Sequence, residues 1–156
     1  MLDITFSKDT GSQLGPPDIG AILIAIKKLY PRKNGNINIR LEAANYLRTL
    51  NRKFAKRDES TDVLSFPYAA SPGFIGGTEP AELGDIVISR DHTKKYAENF
   101  GLSETKVLSM LAVHGILHIL GFDHAGPKDN ERFRKLEGKV LTESGLTVPA
   151  LWAHSK

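Results

Sequence analysis

Apolar and polar positions alternate at the start of the chain. Leu2, Ile4 and Phe6 are interleaved with Asp3 and Thr5, the period-two pattern of a half-buried strand. After the loop SKDTGSQLG, Pro16 and Pro17 lead into IGAILIAIKKLYP, where Ile19, Ile22, Leu23 and Ile26 form one helical face and Pro31 ends it. NINIRL alternates again, with Ile37, Ile39 and Leu41 on one side, and predicts a second strand. EAANYLRTLNRKFAKR predicts a helix ending near Lys53, with Leu47, Leu50 and Phe54 on one side and cations elsewhere. TDVLSFPY, closed by Pro67, reads as a third strand and GDIVIS as a fourth. The intervening glycine-proline stretch AASPGFIGGTEPAE, at about 14 residues, is longer than most connections in compact domains and has the length of loops that serve as lids.

DHTKKYAENFG predicts a polar helix ending at Gly101. VLSMLAVHGILHIL, residues 107–120, has only Ser109 and two histidines as polar side chains, so this helix is expected to be buried nearly all round. A last helix starts near Asp129, carries Phe133, Leu136, Val140 and Leu141 at core spacing, and ends at Gly145. Together these segments predict an α+β fold for residues 1–156 as a single domain, a small mixed four-stranded sheet packed with about five helices.

Composition narrows the chemistry. A chain of 156 residues with 40% hydrophobic and 25% charged positions suits one domain with one core. With no cysteine, disulfides and thiolate metal sites are excluded, and a metal can be held only by imidazole or carboxylate. No run approaches the roughly 18 apolar residues of a membrane span, and MLDITFSKDTG has no basic-then-apolar leader pattern, so a cytoplasmic protein without membrane contact is expected. The formal net charge of +3 is too small to diagnose nucleic-acid binding by itself.

The segment HGILHILGFDH, residues 114–124, carries the chemistry. His114 and His118 stand four apart, so both imidazoles leave one helical face about 6 Å apart at the backbone and can grip one ion. Gly121 accepts a left-handed conformation that ends the helix and lets His124 return toward the pair. Three protein ligands with an open fourth position describe a catalytic rather than a structural metal site. Imidazoles suit zinc best, with nickel, copper or iron possible. The rival reading, two neutral imidazoles in a buried helix, requires other partners for their ring nitrogens. His92 and His154, in a polar helix and near the C-terminus, are expected to be solvated surface residues.

Ligand spacing and Gly121 match the metalloprotease pattern H-E-x-x-H-x-x-G-x-x-H, but the residue after the first histidine is Gly115 where that pattern needs a glutamate base. Met1 and Met110 both precede the third ligand, so the downstream methionine turn is missing as well. Glycine within a helix costs about 1 kcal/mol relative to alanine. Two explanations stand for Gly115: close packing against the sheet, or room for a bulky substrate beside the metal.

HGILHILGFDH resembles the H-G-x-x-H-x-x-G-x-D-H signature of the YbeY endoribonucleases, the ribosomal RNA maturation factor family. LNRKFAKRDESTDVLSF is similar to that family's L-N-x-x-Y-R-x-x-D-x-x-T-D-V-L-S-F segment and LGDIVIS to its L-G-D-I strand, so three blocks in the right order cover most of residues 50–124. The resemblance implies a zincin-like α+β fold and one zinc ion on His114, His118 and His124, with nickel or another divalent transition metal as alternatives. It also implies cleavage of single-stranded RNA, including processing at the 3′ end of 16S rRNA in the small ribosomal subunit, and a part in ribosome quality control; no DNA partner is expected.

The family's arginine falls on Ala55, with Phe54 in the tyrosine's place, so this chain's catalytic residues are left unassigned. Arg48, Arg52, Lys53, Lys56 and Arg57 lie in a ten-residue run without an acid, with Arg48 and Arg52 on one helical face. Alone, such a run reads as a solvated basic face; beside an RNA substrate, Arg52, Lys53, Lys56 and Arg57 become candidates for phosphate binding, Arg57 foremost. Asp123 is read as orienting a ligand imidazole or capping the turn, ahead of a role as general base. Thr61, Asp62, Ser65 and Phe66 match the family block, and core and turn packing accounts for them. Two alternatives remain at this point: a metzincin-like hydrolase of another substrate, and a noncatalytic ribosome-associated metal-binding factor.

Overall fold

The computed structural model describes residues 1–9, 11–68, 81–122 and 126–146. Its elements, in chain order, are β1 (Leu2–Lys8), α1 (Ile19–Leu29), β2 (Gly35–Glu42), α2 (Ala44–Ala55), β3 (Val63–Pro67), β4 (Glu82–Ser89), α3 (Arg90–Phe100), α4 (Glu104–Ile119) and α5 (Pro127–Glu143). The predicted strands and helices all form, with ends shifted by a few residues. Most of the predicted loop AASPGFIGGTEPAE and His154 lie outside the described residues.

The four strands run in the order β1-β2-β4-β3. β1 and β4 each pair parallel to β2, whereas β3 pairs antiparallel to β4, so the sheet is mixed. In-register pairing sets apolar side chains in rows: Ile4 beside Ile37, Ile39 beside Ile86, Leu41 beside Ile88. Leu2 and Ile4 are buried while Asp3 and Thr5 are exposed, as the alternation requires. Central β4 is different, because Ile86, Val87 and Ile88 are consecutive and all buried, which marks a strand covered on both faces.

Helix α4 lies across β3 and β4, with α1, α3 and α5 against it. Every residue from 107 to 120 is buried except His114 and His118, which are half-buried. Ser109 is accommodated by accepting from the Asp18 amide at 2.8 Å and donating to the Thr105 carbonyl, which ties the start of α1 to α4. Asp18 in turn caps α1 by accepting from the Ala21 amide.

Gly115 faces the sheet. A Cβ there would stand 2.7 Å from Ile86 Cγ2 and 3.0 Å from its Cδ1, so close packing of α4 on β4 accounts for the glycine. The alternative, space for a bulky substrate, is not what this position supplies. One core expectation is corrected: Phe54 is 61% exposed. It sits in the last turn of α2 and leans edge-on against Phe66 of edge strand β3 at 5.5 Å. Among the described residues, no helix is long and apolar enough to cross a membrane.

Candidate functional site

The two histidines are where α4 breaks the surface. Their ring centroids are 4.9 Å apart at an interplanar angle of 66°. Phe133, buried on α5, packs against both rings, at 4.9 Å from His114 and 4.8 Å from His118. Two residues separated by one helical turn therefore share one aromatic buttress, which limits how either ring can rotate.

Glu137, one turn beyond Phe133 on α5, supplies the other restraint. Its Oε2 lies 2.8 Å from His114 Nδ1, and its side chain is only 9% exposed. A carboxylate accepts, so Nδ1 is the donor in this bond, and in the neutral imidazole the lone pair is then left on Nε2. A ligating histidine commonly has this form, with the other ring nitrogen donating to a carboxylate. The sequence pattern pointed to Asp123 for such a role; Asp123 and His124 lie outside the described residues. Among the described residues, no three His, Asp or Glu side chains are grouped to hold a metal. His114 and His118 are thus the described part of the predicted ligand set, and the imidazole donors with a carboxylate behind one of them fit a divalent ion of zinc's type.

Both histidines line an open cleft of about 760 Å³, within the size range of small-ligand sites. One wall is the segment running into β3, including Thr61, Asp62 and Ser65. Packing was a sufficient reason for those residues in the sequence; in the fold they also border the site. Asp62 accepts from the Tyr96 hydroxyl at 3.2 Å, and its carbonyl accepts from the Ser89 amide at 2.8 Å. Burial first, and then the Asp62 carboxylate, pushes the Tyr96 phenol up to about 12, so it stays a neutral donor across the neutral range.

His92 also lines this cleft and is half-buried, which corrects its expected place on the solvated surface. Ser89 is the cause. Its hydroxyl oxygen caps α3 by accepting from the His92 amide and lies 2.8 Å from His92 Nδ1, folding the ring back toward β4.

The basic run of α2 lies elsewhere. Arg52, Lys53, Lys56 and Arg57 are not among the residues lining the cleft. Arg48 holds Asp58 with two bonds of 2.8 and 3.2 Å, Arg52 approaches the same carboxylate at 3.9 Å, and Arg57 approaches Glu59 at 3.9 Å. The acids come from just past the helix, where Lys56 takes a left-handed conformation (φ 54°) and buried Asn51 holds the Glu59 carbonyl at 3.0 Å. Ala55 is exposed at the end of this helix.

Two residues that sequence reasoning missed belong to α5. Glu137 falls on the apolar face, at 133 + 4 and three before Val140, and an acid at core spacing needs a partner; that was the available signal. Arg134 lines the cleft and carried no comparable signal among the helix's other cations.

Known proteins match over most of the chain. A family model described as Endoribonuclease YbeY matches residues 5–145. The Endoribonuclease YbeY of Bacillus velezensis is 35% identical over 127 residues, covering 79% of this chain and 81% of that protein. The protein of the same name from Myxococcus xanthus is 40% identical over 110 residues, 70% of this chain but 37% of that longer protein. That from Aquifex aeolicus is 42% identical over 98 residues, 62% of either chain. A solution structure of a Thermotoga maritima protein, 23% identical, superposes with a TM-score of 0.53 over 96% of this chain and 99% of that one, a likeness of fold.

Proposed function

The chain belongs to the Endoribonuclease YbeY family, and from that premise we propose that it is a metal-dependent endoribonuclease that cuts single-stranded RNA in the cleft floored by His114 and His118. The observation that carries this reading is that α4 is buried everywhere from 107 to 120 except at these two histidines, which open into the cleft with a carboxylate behind one of them. His114, His118 and His124 would hold one zinc ion, with nickel or another divalent transition metal as substitutes. The chemistry such an ion supplies is Lewis acidity at a phosphoryl oxygen and a lowered pKa for water.

The chain's own residues prepare the site. Glu137 keeps His114 in one tautomer and one orientation, and Phe133 fixes both rings and shields their inner side from water. Tyr96 stays protonated and engaged with Asp62, which holds the β3 wall in place. Position 115 cannot serve as the base, because there the helix is pressed onto Ile86. The work of the site in the cell is proposed to be ribosomal RNA maturation, including the 3′ end of 16S rRNA, on the small ribosomal subunit in the cytoplasm, with residues 1–156 acting as a single domain.

Zinc-loaded protein given end-labelled single-stranded RNA, duplex RNA and a peptide mixture is expected to cut the single strand alone. A His114→Ala, His118→Ala double variant is expected to leave it intact. Equal RNA cleavage by the double variant, or peptide cleavage in place of RNA cleavage, overturns this reading. Ala55, standing where the family motif has arginine, favours one second reading, a noncatalytic ribosome-associated metal-binding factor; RNA bound by the zinc-loaded protein but left uncut would select it.

A further inference from the structure

A single-stranded RNA brings a phosphate with every nucleotide, and phosphates are held by cations not already engaged by carboxylates. Most of this chain's arginines are engaged. Arg40 pairs with Glu42 at 2.7 Å, Arg48 and Arg52 share Asp58, Arg57 faces Glu59, and Arg90 pairs with Asp9. Arg134 is in no ion pair among the described residues, and it alone of the described lysines and arginines lines the histidine cleft.

Arg132 has a related position. It is likewise in no ion pair among the described residues and lines, with Asp129, a neighbouring depression of about 350 Å³ that shares Gly121, Phe122 and Phe133 with the cleft. The helix explains the arrangement. Successive residues turn by about 100°, so with Phe133 pointing inward at the histidine rings, Arg132 and Arg134 leave α5 on either side of it. Between the two depressions stands half-buried Phe122, steadied by Tyr30 at 5.4 Å, and an aromatic ring of this kind is a platform for a base.

Building on the nuclease reading above, we propose that the RNA backbone is held on α5: Arg134 binds the phosphate in the histidine cleft, Arg132 binds a neighbouring phosphate, and a base rests on Phe122 between them. The basic run of α2 is then a minor contributor. Both arginines are exposed, so their replacement removes charge without opening the core.

The test measures the affinity of the zinc-loaded protein for a short nuclease-resistant single-stranded RNA, a 2′-O-methyl phosphorothioate, across a salt series. The proteins compared are wild type, Arg132→Ala, Arg134→Ala, their combination, Arg134→Lys, and an α2 variant carrying Arg52→Ala, Lys53→Ala, Lys56→Ala and Arg57→Ala. Each α5 alanine is expected to weaken binding about tenfold and to lower the logarithmic salt slope by about 0.7, with zinc content and thermal unfolding unchanged. Arg134→Lys is expected to keep the slope, and the α2 variant to weaken binding less than about threefold. An Arg132→Ala, Arg134→Ala protein with wild-type affinity and slope, beside a wild type that cuts unmodified RNA, overturns the α5 assignment alone. A wild type that neither binds nor cuts RNA removes the nuclease reading, and this assignment with it.

Discussion

Helices α2 and α5 are both basic on their exposed faces, and they differ in what their acids do. On α2, the chain turns back after the helix and delivers Asp58 and Glu59 to the arginines, so all three arginines of the run face carboxylates, while Lys53 and Lys56 are in no ion pair among the described residues. On α5, Glu137 is turned inward onto His114 and Glu131 and Glu143 pair with Lys135 and Lys28, while Arg132 and Arg134, in no ion pair among the described residues, border two adjoining hollows, the smaller of which Asp129 also lines. The dense run of cations therefore lies away from the chemistry, while the sparse pair borders it. Density of charge along a chain is a poor guide to a binding site when the neutralising acids lie just outside the counted window.

The largest effect should follow from removing the inward acid. Glu137→Gln keeps the size of the side chain but loses the charged acceptor for His114 Nδ1, and zinc affinity is expected to fall about 10- to 100-fold in competition with a chelator. Substitutions along α2 should leave that affinity unchanged. Equal zinc affinity in the Glu137→Gln protein would break the contrast at its α5 end.

A second, smaller effect separates packing from charge. Gly115→Ala should recover the helix propensity of alanine but force its Cβ into Ile86, for a net loss of about 1–3 kcal/mol in urea unfolding. A stabilised Gly115→Ala protein would mean that α4 is not seated on β4 as closely as the geometry requires.

The smallest effect concerns α2. The Arg48 hydrogen bond holds the Asp58 carboxyl below the usual carboxylate range. A carboxyl depressed in the folded state contributes stability above its unfolded value, and that contribution is lost as pH falls through the folded value, so the pair is intact at neutral pH. Asp58→Asn should release Arg48 and Arg52 and raise RNA affinity by no more than about threefold, as befits exposed ion pairs. A rise of tenfold or more would move the RNA path onto α2.

How much of this was legible beforehand divides along physical lines. Strands and helices follow from local periodicity, which is why Leu2 and Ile4, the buried run of α4 and the helix-ending Gly121 (φ +99°) read directly from the chain. The motif also announced His114 and His118 as a pair. What stayed hidden was the pairing of distant elements. Glu137 meets His114 across 23 residues of sequence, and no periodicity within either helix predicts that α5 brings its acid to that ring. His92 looked solvated because α3 is polar, yet a serine cap turns its ring into the cleft. Arg134 was one cation among several until the fold placed it, alone of the described lysines and arginines, at the histidine cleft.

The central claim is that RNA lies in the histidine cleft and across α5. It is tested most directly by cross-linking single-stranded RNA carrying 4-thiouridine to the zinc-loaded protein and locating the attached residues by mass spectrometry. Attachment is predicted at Phe122, within the exposed residues of α5 around Arg132 and Arg134, and along the wall from Ser60 to Ser65. Attachment confined to residues 48–57 would contradict it.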